Sequence, residues 1–556
     1  MVDLDRNYDV VVIGSGPAGS TACKELTERG LEVLLLEAGR DITPADFIPP
    51  KPSKPRAMTI GLGGRIKAGL SGQYVQARRA MFKPQTSPFL VKDSEHPYTT
   101  DAEPFLWIRG RQLGGRFHAY GRVLLRSSDH EFKAASHDGI GVDWPIEYKD
   151  IEPYYEKVEE YIGVYGTPEN LSNLPDSKFR GTSNFTEAEK EFKKNVESQW
   201  PERKVVPWRW AAPNPHRIPV GVYLARQTGN LTTRTDSVVS KIIIDSKTGR
   251  ATGVQFIDRL TKKPYQAKAN IVMVCASAIE SVRILFNSAC ANHPNGVGNS
   301  SGLLGKYFMD QTPSLLFASD PKRLGYETPV DPAPADGYFP PVGGVYIPRW
   351  DNLDGRINTE FKRGWAVQGT IGRLPVPEGT PASLGLMGFG EMLPYEHNKI
   401  SIDSRKKDAW GIPAPRITMR TTVNEHAIMR AQMTGLRDMA LANGYRINFV
   451  GSTLGLDSKK IWPDADPFSR AIFRIGIKYS LAIGAAIHEC GGARMGNNPA
   501  SSVLNSYNQV WDSPNVFVTD AAAFPSNGAV GPTLTIMAMT ARACEYAAKE
   551  YAEGRI

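Results

Sequence analysis

At 556 residues the chain is long enough for two to four domains, and its 41% apolar and 22% charged residues are those of an ordinary globular protein. Its 66 Lys and Arg against 58 Asp and Glu leave +8, a mild excess for this length, and with no dense basic block a nucleic-acid partner is not expected. No apolar run reaches the roughly 18 residues of a membrane-spanning helix; the nearest, 471–487, is broken by Arg474 and Lys478, so no membrane association is expected.

The first predicted element is the β-branched run Val10-Val11-Val12-Ile13, which leads into Gly14-Ser15-Gly16-Pro17-Ala18-Gly19. Strand, G-x-G-x-x-G turn and helix in that order make a dinucleotide site. Gly14 permits the tight turn, Gly16 the approach of a pyrophosphate, and Gly19 the packing of helix on strand. A helix is predicted over 20–29 with its N-terminal N–H groups towards the phosphates. A second strand over 31–37 ends in Glu37, at the spacing where a carboxylate holds a ribose hydroxyl.

Residues 41–100 then lose periodicity and are rich in Pro, Gly, Lys and Ser, the pattern of an arm, lid or interface. Within them 51–79 is modestly basic: a solvated or oligomer-contact loop, or a face for an anionic partner. The glycines of 107–116 let backbone come close to something flat or anionic. Residues 149–162 read as an amphipathic helix. From Asn230 the period becomes two, predicting meander strands at 231–235, 238–245 and 251–257. A buried strand at 270–276 runs into a helix at 279–285. Over 331–450, short alternating runs at 399–403 and 416–419 predict an antiparallel sheet, inserted as a second domain and followed by a helix at 424–443. The chain returns with a buried strand at 515–520 and a long helix opened by Pro532-Thr533.

The fold expected is α/β, a Rossmann-like dinucleotide-binding domain (1–150, 216–330 and 486–556) with an inserted, mainly antiparallel substrate domain (151–215 and 331–485). The five cysteines, Cys23, Cys275, Cys290, Cys490 and Cys544, are scattered and form no C-x-x-C. They read as buried free thiols, neither metal ligands nor a disulfide framework, which fits a reducing, cytoplasmic setting.

In combination the motifs resemble the glucose–methanol–choline family of flavin oxidoreductases over nearly the whole chain. The resemblance rests on the glycine motif with Glu37, on Gly110-Arg111-Gln112-Leu113-Gly114-Gly115, and on Ala278-Ile279-Glu280-Ser281 with Asn299-Ser300-Ser301-Gly302. It closes with His488-Glu489-Cys490-Gly491-Gly492-Ala493-Arg494-Met495-Gly496, Asp520 and Pro532-Thr533-Leu534-Thr535. Trp107–Gln112, Asp143-Trp144-Pro145-Ile146 and Ser502–Asn505 are most similar to the bacterial branch acting on sugars and glycosides, which includes pyranose oxidases and glycoside 3-dehydrogenases.

The resemblance implies FAD as cofactor. Gly14, Gly16, Gly19 and Glu37 would hold its ADP half, and Val239, or Val238 in register, would contact the adenine. Gly114 and Gly115 would pass beside the isoalloxazine, with Asp520 and Thr533 near the ribityl chain and pyrimidine edge. It implies oxidation of a secondary ring hydroxyl of a sugar or glycoside, or alternatively of a non-sugar alcohol. A flavin-binding protein with reduced turnover is the remaining reading. The electron acceptor stays open among oxygen, a quinone and a redox protein, and a homo-oligomer is compatible with the 41–100 arm.

Removing hydride from an alcohol also needs a base for the hydroxyl proton, a role suited to histidine. His488, at the head of the closing signature, is the residue implied. Glu489 is expected to point elsewhere, and Arg494 to fix its loop or a phosphate. Two positions depart from the family pattern. The polar partner usual before Pro-Thr-Leu-Thr is replaced by Gly531, leaving water or a side chain such as Asn527 to fill the gap. His118 stands one position off the histidine that tethers FAD in some relatives, so noncovalent FAD is expected, with His118 near the flavin. Trp410 and Tyr395 are candidate sugar-stacking rings.

Overall fold

The computed structural model describes residues 3–556 except 48–61, 81, 119, 328–342, 354, 458–460 and 464–465. Strand Asn7–Ile13 lies at the middle of a seven-stranded sheet. Val33–Leu36 pairs parallel on one side and Pro264–Val274 on the other, with Val10 opposite Val33 and Ile271. Alternate side chains go to opposite faces. Val10, Val12, Val33 and Leu35 therefore pack on one face against Ala18, Ala22 and Leu26 of helix Pro17–Thr27, with Cys544 and Ala547 of helix Thr533–Ala552. Val11, Ile13, Leu34 and Leu36 pack on the other with Ile279 and Val282 of helix Ala278–Asn287. Both faces are covered, which is why the strands read as continuous apolar runs.

Strand Pro264–Val274 does two jobs. Its first half closes an antiparallel meander with Ala251–Asp258 and Ser237–Ile244, and its second half runs parallel to Asn7–Ile13 and Val516–Val518. Leu231–Arg234 is not part of that meander as expected. It pairs parallel with Val33–Leu36 at the opposite edge, because alternation identifies a strand but not its partner.

The second seven-stranded sheet is antiparallel throughout, in the order Gly455–Leu456, Arg446–Ser452, Thr312–Leu324, Pro381–Gly390, Trp365–Ile371, Val345–Ile347, Val206–Pro207. It takes in Thr312–Leu324, which the expected boundary at 330 assigned to the dinucleotide domain. The polar second half of that strand hides its period. Leu316 and Ala318 face helix Val423–Ala442 across the core formed with Ile428, Leu436 and Met439. The runs at 399–403 and 416–419 join a separate three-stranded sheet with Thr99–Ala102. The 41–100 stretch is more ordered than expected where it is described: it holds helix Leu62–Leu70, short 3-10 turns and that strand. The rest of the expected arm, 48–61, lies outside the described residues.

Candidate functional site

A cavity of about 1170 Å3 runs between the two large sheets. Sites for a single small molecule span roughly 300–1,000 Å3, so this one has room for a dinucleotide and a substrate together. At one end it is lined by Gly14, Ser15, Gly16, Pro17, Glu37, Val238 and Val239. Gly14 sits at φ +92°, and a β-carbon there would lie 2.7 Å from the Cys275 carbonyl oxygen. One on Gly19 would fall 1.8 Å from the Gly14 carbonyl oxygen. On Gly16 it would meet nothing within 4 Å. Gly14 and Gly19 thus shape the turn, whereas Gly16 faces open space.

The helix that follows starts without a side-chain cap, leaving its first N–H groups for a ligand. The Glu37 carboxylate accepts from Ser15 N at 3.1 Å, from Ser15 Oγ, and from Gly39 N at 2.8 Å, and burial pushes its acidity down. Ser15 Oγ accepts in turn from Gly114 N at 2.8 Å, which ties the first glycine turn to the second.

Further along, Gly115, Arg116, His118, Asp520 and Thr533 line the wall. Asp520 accepts from Ser281 Oγ and from Ala522 N, and burial raises it to about 6. Thr533 opens the C-terminal helix, whose N-terminus also lacks a side-chain cap and faces this cavity, as does that of helix Ala278–Asn287. Three such termini and a glycine cradle with open space at Gly16 fit an anionic, elongated cofactor such as FAD. His118 is drawn under the Gly114 turn: its Nε2 bonds the Leu113 carbonyl at 2.8 Å and its ring packs edge-on to Phe47. Burial lowers it to about 4.

The far end is built on His488. Its backbone N–H donates to Asp310 Oδ1 at 2.9 Å, and its ring stacks on Phe389 at 5.3 Å. The preceding Ile487 holds φ +63°, a conformation costly for a β-branched residue and typical of constrained functional sites. His488 Nδ1 lies 2.5 Å from Gln311 Oε1. Gln311 Nε2 donates to the carbonyls of Gly528, at 2.5 Å, and Val530, at 3.0 Å. Only the amide nitrogen can serve two carbonyls, so Oε1 is the atom presented to the ring, and Nδ1 must donate to it. The proton is thereby fixed on Nδ1 and the Nε2 lone pair is left free. Burial, reinforced by the Arg116 charge, lowers His488 to about 3, so the ring is neutral across ordinary pH.

Gly531 stands opposite. A β-carbon placed on it would be 3.6 Å from His488 Nε2, an ordinary contact distance. Asn527 does not fill this gap: it is absent from the cavity lining, and its Oδ1 is taken by Gly528 N at 2.9 Å. Glu489 turns from His488 to Arg116, 2.6 Å away. Arg494 lies over the Tyr307 ring at 3.9 Å and donates to Ser501 O, fixing its loop.

Trp410 and Tyr395 are not in the cavity. Trp410 Nε1 donates to Arg259 O, and the Tyr395 hydroxyl pairs with Thr422. The roof comes from the antiparallel sheet: Leu315, Phe317, Leu386, Met387 and Phe389 supply apolar surface, and Trp208, Gln368, Thr370 and Arg373 polar surface. Sequence reasoning missed Gln311 and Phe389. The need for a group to orient the histidine was the available signal, but Gln311 is 177 residues from His488.

Comparison with known proteins adds the following. Two family models described as GMC oxidoreductase match residues 8–311 and 394–540. The chain is 27% identical to a 2-methyl-1,2-propanediol dehydrogenase of Mycolicibacterium austroafricanum, over 98% of this chain and 96% of that protein. It is 23% identical to a C-glycoside 3-oxidase of Microbacterium trichothecenolyticum, again over 98% and 96%. Among solved structures it is similar to a variant formate oxidase of Aspergillus oryzae RIB40, studied for modification of its FAD. The TM-score there is 0.66 at 14% identity, covering 99% of this chain and all of that one.

Proposed function

The chain belongs to the GMC oxidoreductase family of FAD-dependent enzymes acting on CH–OH groups, and from that premise we propose that it oxidises a secondary ring hydroxyl of a glycoside to a ketone, with His488 as the base. The observation that carries this reading is the Gln311–His488 pair facing Gly531 at the end of the cavity. The tautomer is set before substrate arrives, so Nε2 accepts the hydroxyl proton as the C–H bond gives up its hydride. FAD, when bound, supplies the two-electron acceptor for that hydride.

The other residues position and enclose. Phe389 and the Asp310 carboxylate hold the histidine ring and backbone. The helix terminus at Thr533 favours negative charge accumulating beside it. Gly531 leaves space next to Nε2 where a side chain would crowd a ring carbon bearing two ring neighbours. The mixed roof supports a glycoside with an apolar aglycone: Gln368 and Thr370 suit sugar hydroxyls, and Leu315, Phe317 and Met387 suit the aglycone. That the C-glycoside 3-oxidase aligns over nearly the full length of both chains supports the same substrate class.

Anaerobic mixing with aryl glycosides, free sugars and small diols, followed by NMR of the product, tests the proposal. Bleaching of the flavin with a keto-glycoside as product is expected. Bleaching only with small diols, or an aldehyde from a primary alcohol, contradicts it.

A further inference from the structure

Exposed large apolar side chains are concentrated on one face. Ile66, Leu70 and Tyr74, on and just after helix Leu62–Leu70, are 55%, 86% and 47% exposed. On helix Pro467–Ser480 the corresponding residues are Phe468, Ile472, Ile475 and Tyr479, at 74%, 36%, 67% and 53%. At 3.6 residues per turn these last four fall within about 60° of one another. The opposite side of the helix is already packed, with Phe473 and Ile477 against Leu315, Phe449 and Leu481. The helix is therefore apolar on two sides, and one side is uncovered. Arg470 and Arg474 fall on the flank between them. The two helices are neighbours: both pack on the 76–82 turn, where the Arg78 guanidinium lies 5.9 Å from the Tyr479 ring.

The charge around this face is one-sided. Residues 62–92 contain six Lys and Arg and no Asp or Glu, and 467–488 contain three and none. Outside these two segments acids outnumber bases, so the net charge of +8 resides here. The same segments continue into the cavity wall through Arg79, Ala80, Lys83, Leu481 and Ala485.

We propose that this face docks on an anionic lipid membrane surface, with helix Pro467–Ser480 lying in the plane of the interface and the cavity wall behind it. No helix of the described residues is long and apolar enough to cross a membrane. The mode is peripheral, an apolar stripe flanked by cations and edged by tyrosines, and it departs from the expectation of no membrane contact. A second copy fits poorly: a two-fold interface sets each patch against itself and brings the two sets of cations together. Anionic headgroups answer the charge, and the acyl boundary answers Phe468, Ile475 and Leu70.

The test is flotation of the full-length, FAD-loaded protein with vesicles of phosphatidylcholine, with and without phosphatidylglycerol, at low and high salt. Binding to the anionic vesicles that weakens with salt is expected. Phe468→Ser with Ile475→Ser should lower the bound fraction by on the order of tenfold. Lys67→Glu with Arg78→Glu, a pair that leaves the apolar stripe intact, should lower it by roughly tenfold or more. Turnover with a soluble acceptor should be unchanged in both, which shows that the variants are folded. Three results overturn the proposal: no flotation of the wild type, equal binding to both vesicles regardless of salt, or a dimer in sedimentation velocity that Phe468→Ser with Ile475→Ser dissociates.

Discussion

The two ends of the cavity are made in different ways. The dinucleotide end is backbone: two glycine turns, an uncapped helix start and one carboxylate, with Gly14 to Glu37 spanning a single strand–helix–strand unit. The His488 end is side chains from three distant segments, Gln311, Phe389 and His488, facing the gap at Gly531. A site made of backbone is sensitive to added atoms. A site made of side chains is sensitive to the loss of a hydrogen-bond partner.

The sharpest contrast should come within the glycine motif. Gly19→Val places a side chain against the Gly14 carbonyl, where only 1.8 Å is available to the β-carbon. Overpacking against movable side chains costs about 1–3 kcal/mol, and here the obstacle is backbone, so insoluble or colourless protein is expected. Gly16→Ala meets nothing in the protein. It should leave the melting temperature of the cofactor-free chain unchanged while weakening FAD retention, read by flavin absorbance per chain. Equal effects of the two substitutions would remove the distinction between shaping the turn and facing the cofactor.

At the other end, Gly531→Asn adds a side chain where a β-carbon has ordinary contact with His488. The fold should tolerate it. Flavin reduction by bulky aryl glycosides should fall by on the order of ten- to a hundredfold, the range of a misplaced reacting group, with small alcohols spared. Unchanged kinetics for both sizes would mean that the substrate does not pass between Gly531 and His488.

The motif end was legible in the sequence because its geometry is local: glycine spacing and strand polarity are written within forty residues. The parallel and antiparallel halves of Pro264–Val274 were not, since one apolar run serves two partners. Neither was the roof. Thr312–Leu324 lacks a clean period, and Trp410 looks like a sugar platform until its Nε1 is seen bonded to Arg259 O. His488 was implied by its signature, but nothing near it in the chain announces Gln311. Asn527, the amide nearest in sequence to the gap at Gly531, is turned away.

The smallest effect expected is electrostatic. Asp310 is buried, and with Glu489 nearby its carboxyl is held up at about 7. Its Oδ2 has no hydrogen-bond partner. Between the unfolded value near 3.9 and about 7, the folded chain keeps a proton that the unfolded chain releases. Stability therefore declines as pH rises through this window and is flat above it. Asp310→Asn keeps an acceptor for His488 N–H and removes that dependence. Its melting temperature should gain on the wild type from about pH 4 to pH 7 and then run parallel. A constant difference would mean that Asp310 is ionised throughout.

The central claim is that Gln311 holds His488 ready to take a proton at Nε2, and anaerobic stopped-flow reduction of the bound FAD by a glycoside, measured against pH, tests it directly. His488→Ala should retain FAD and slow reduction by on the order of 10²–10⁴-fold, with recovery at high pH as solvent hydroxide substitutes. Gln311→Leu should fall between that variant and the wild type. Gln311→Glu should retain activity and move the acid limb of the profile upwards, because a carboxylate on Nδ1–H makes Nε2 more basic. Unchanged flavin reduction in His488→Ala, or identical pH profiles for Gln311→Glu and the wild type, would contradict the account.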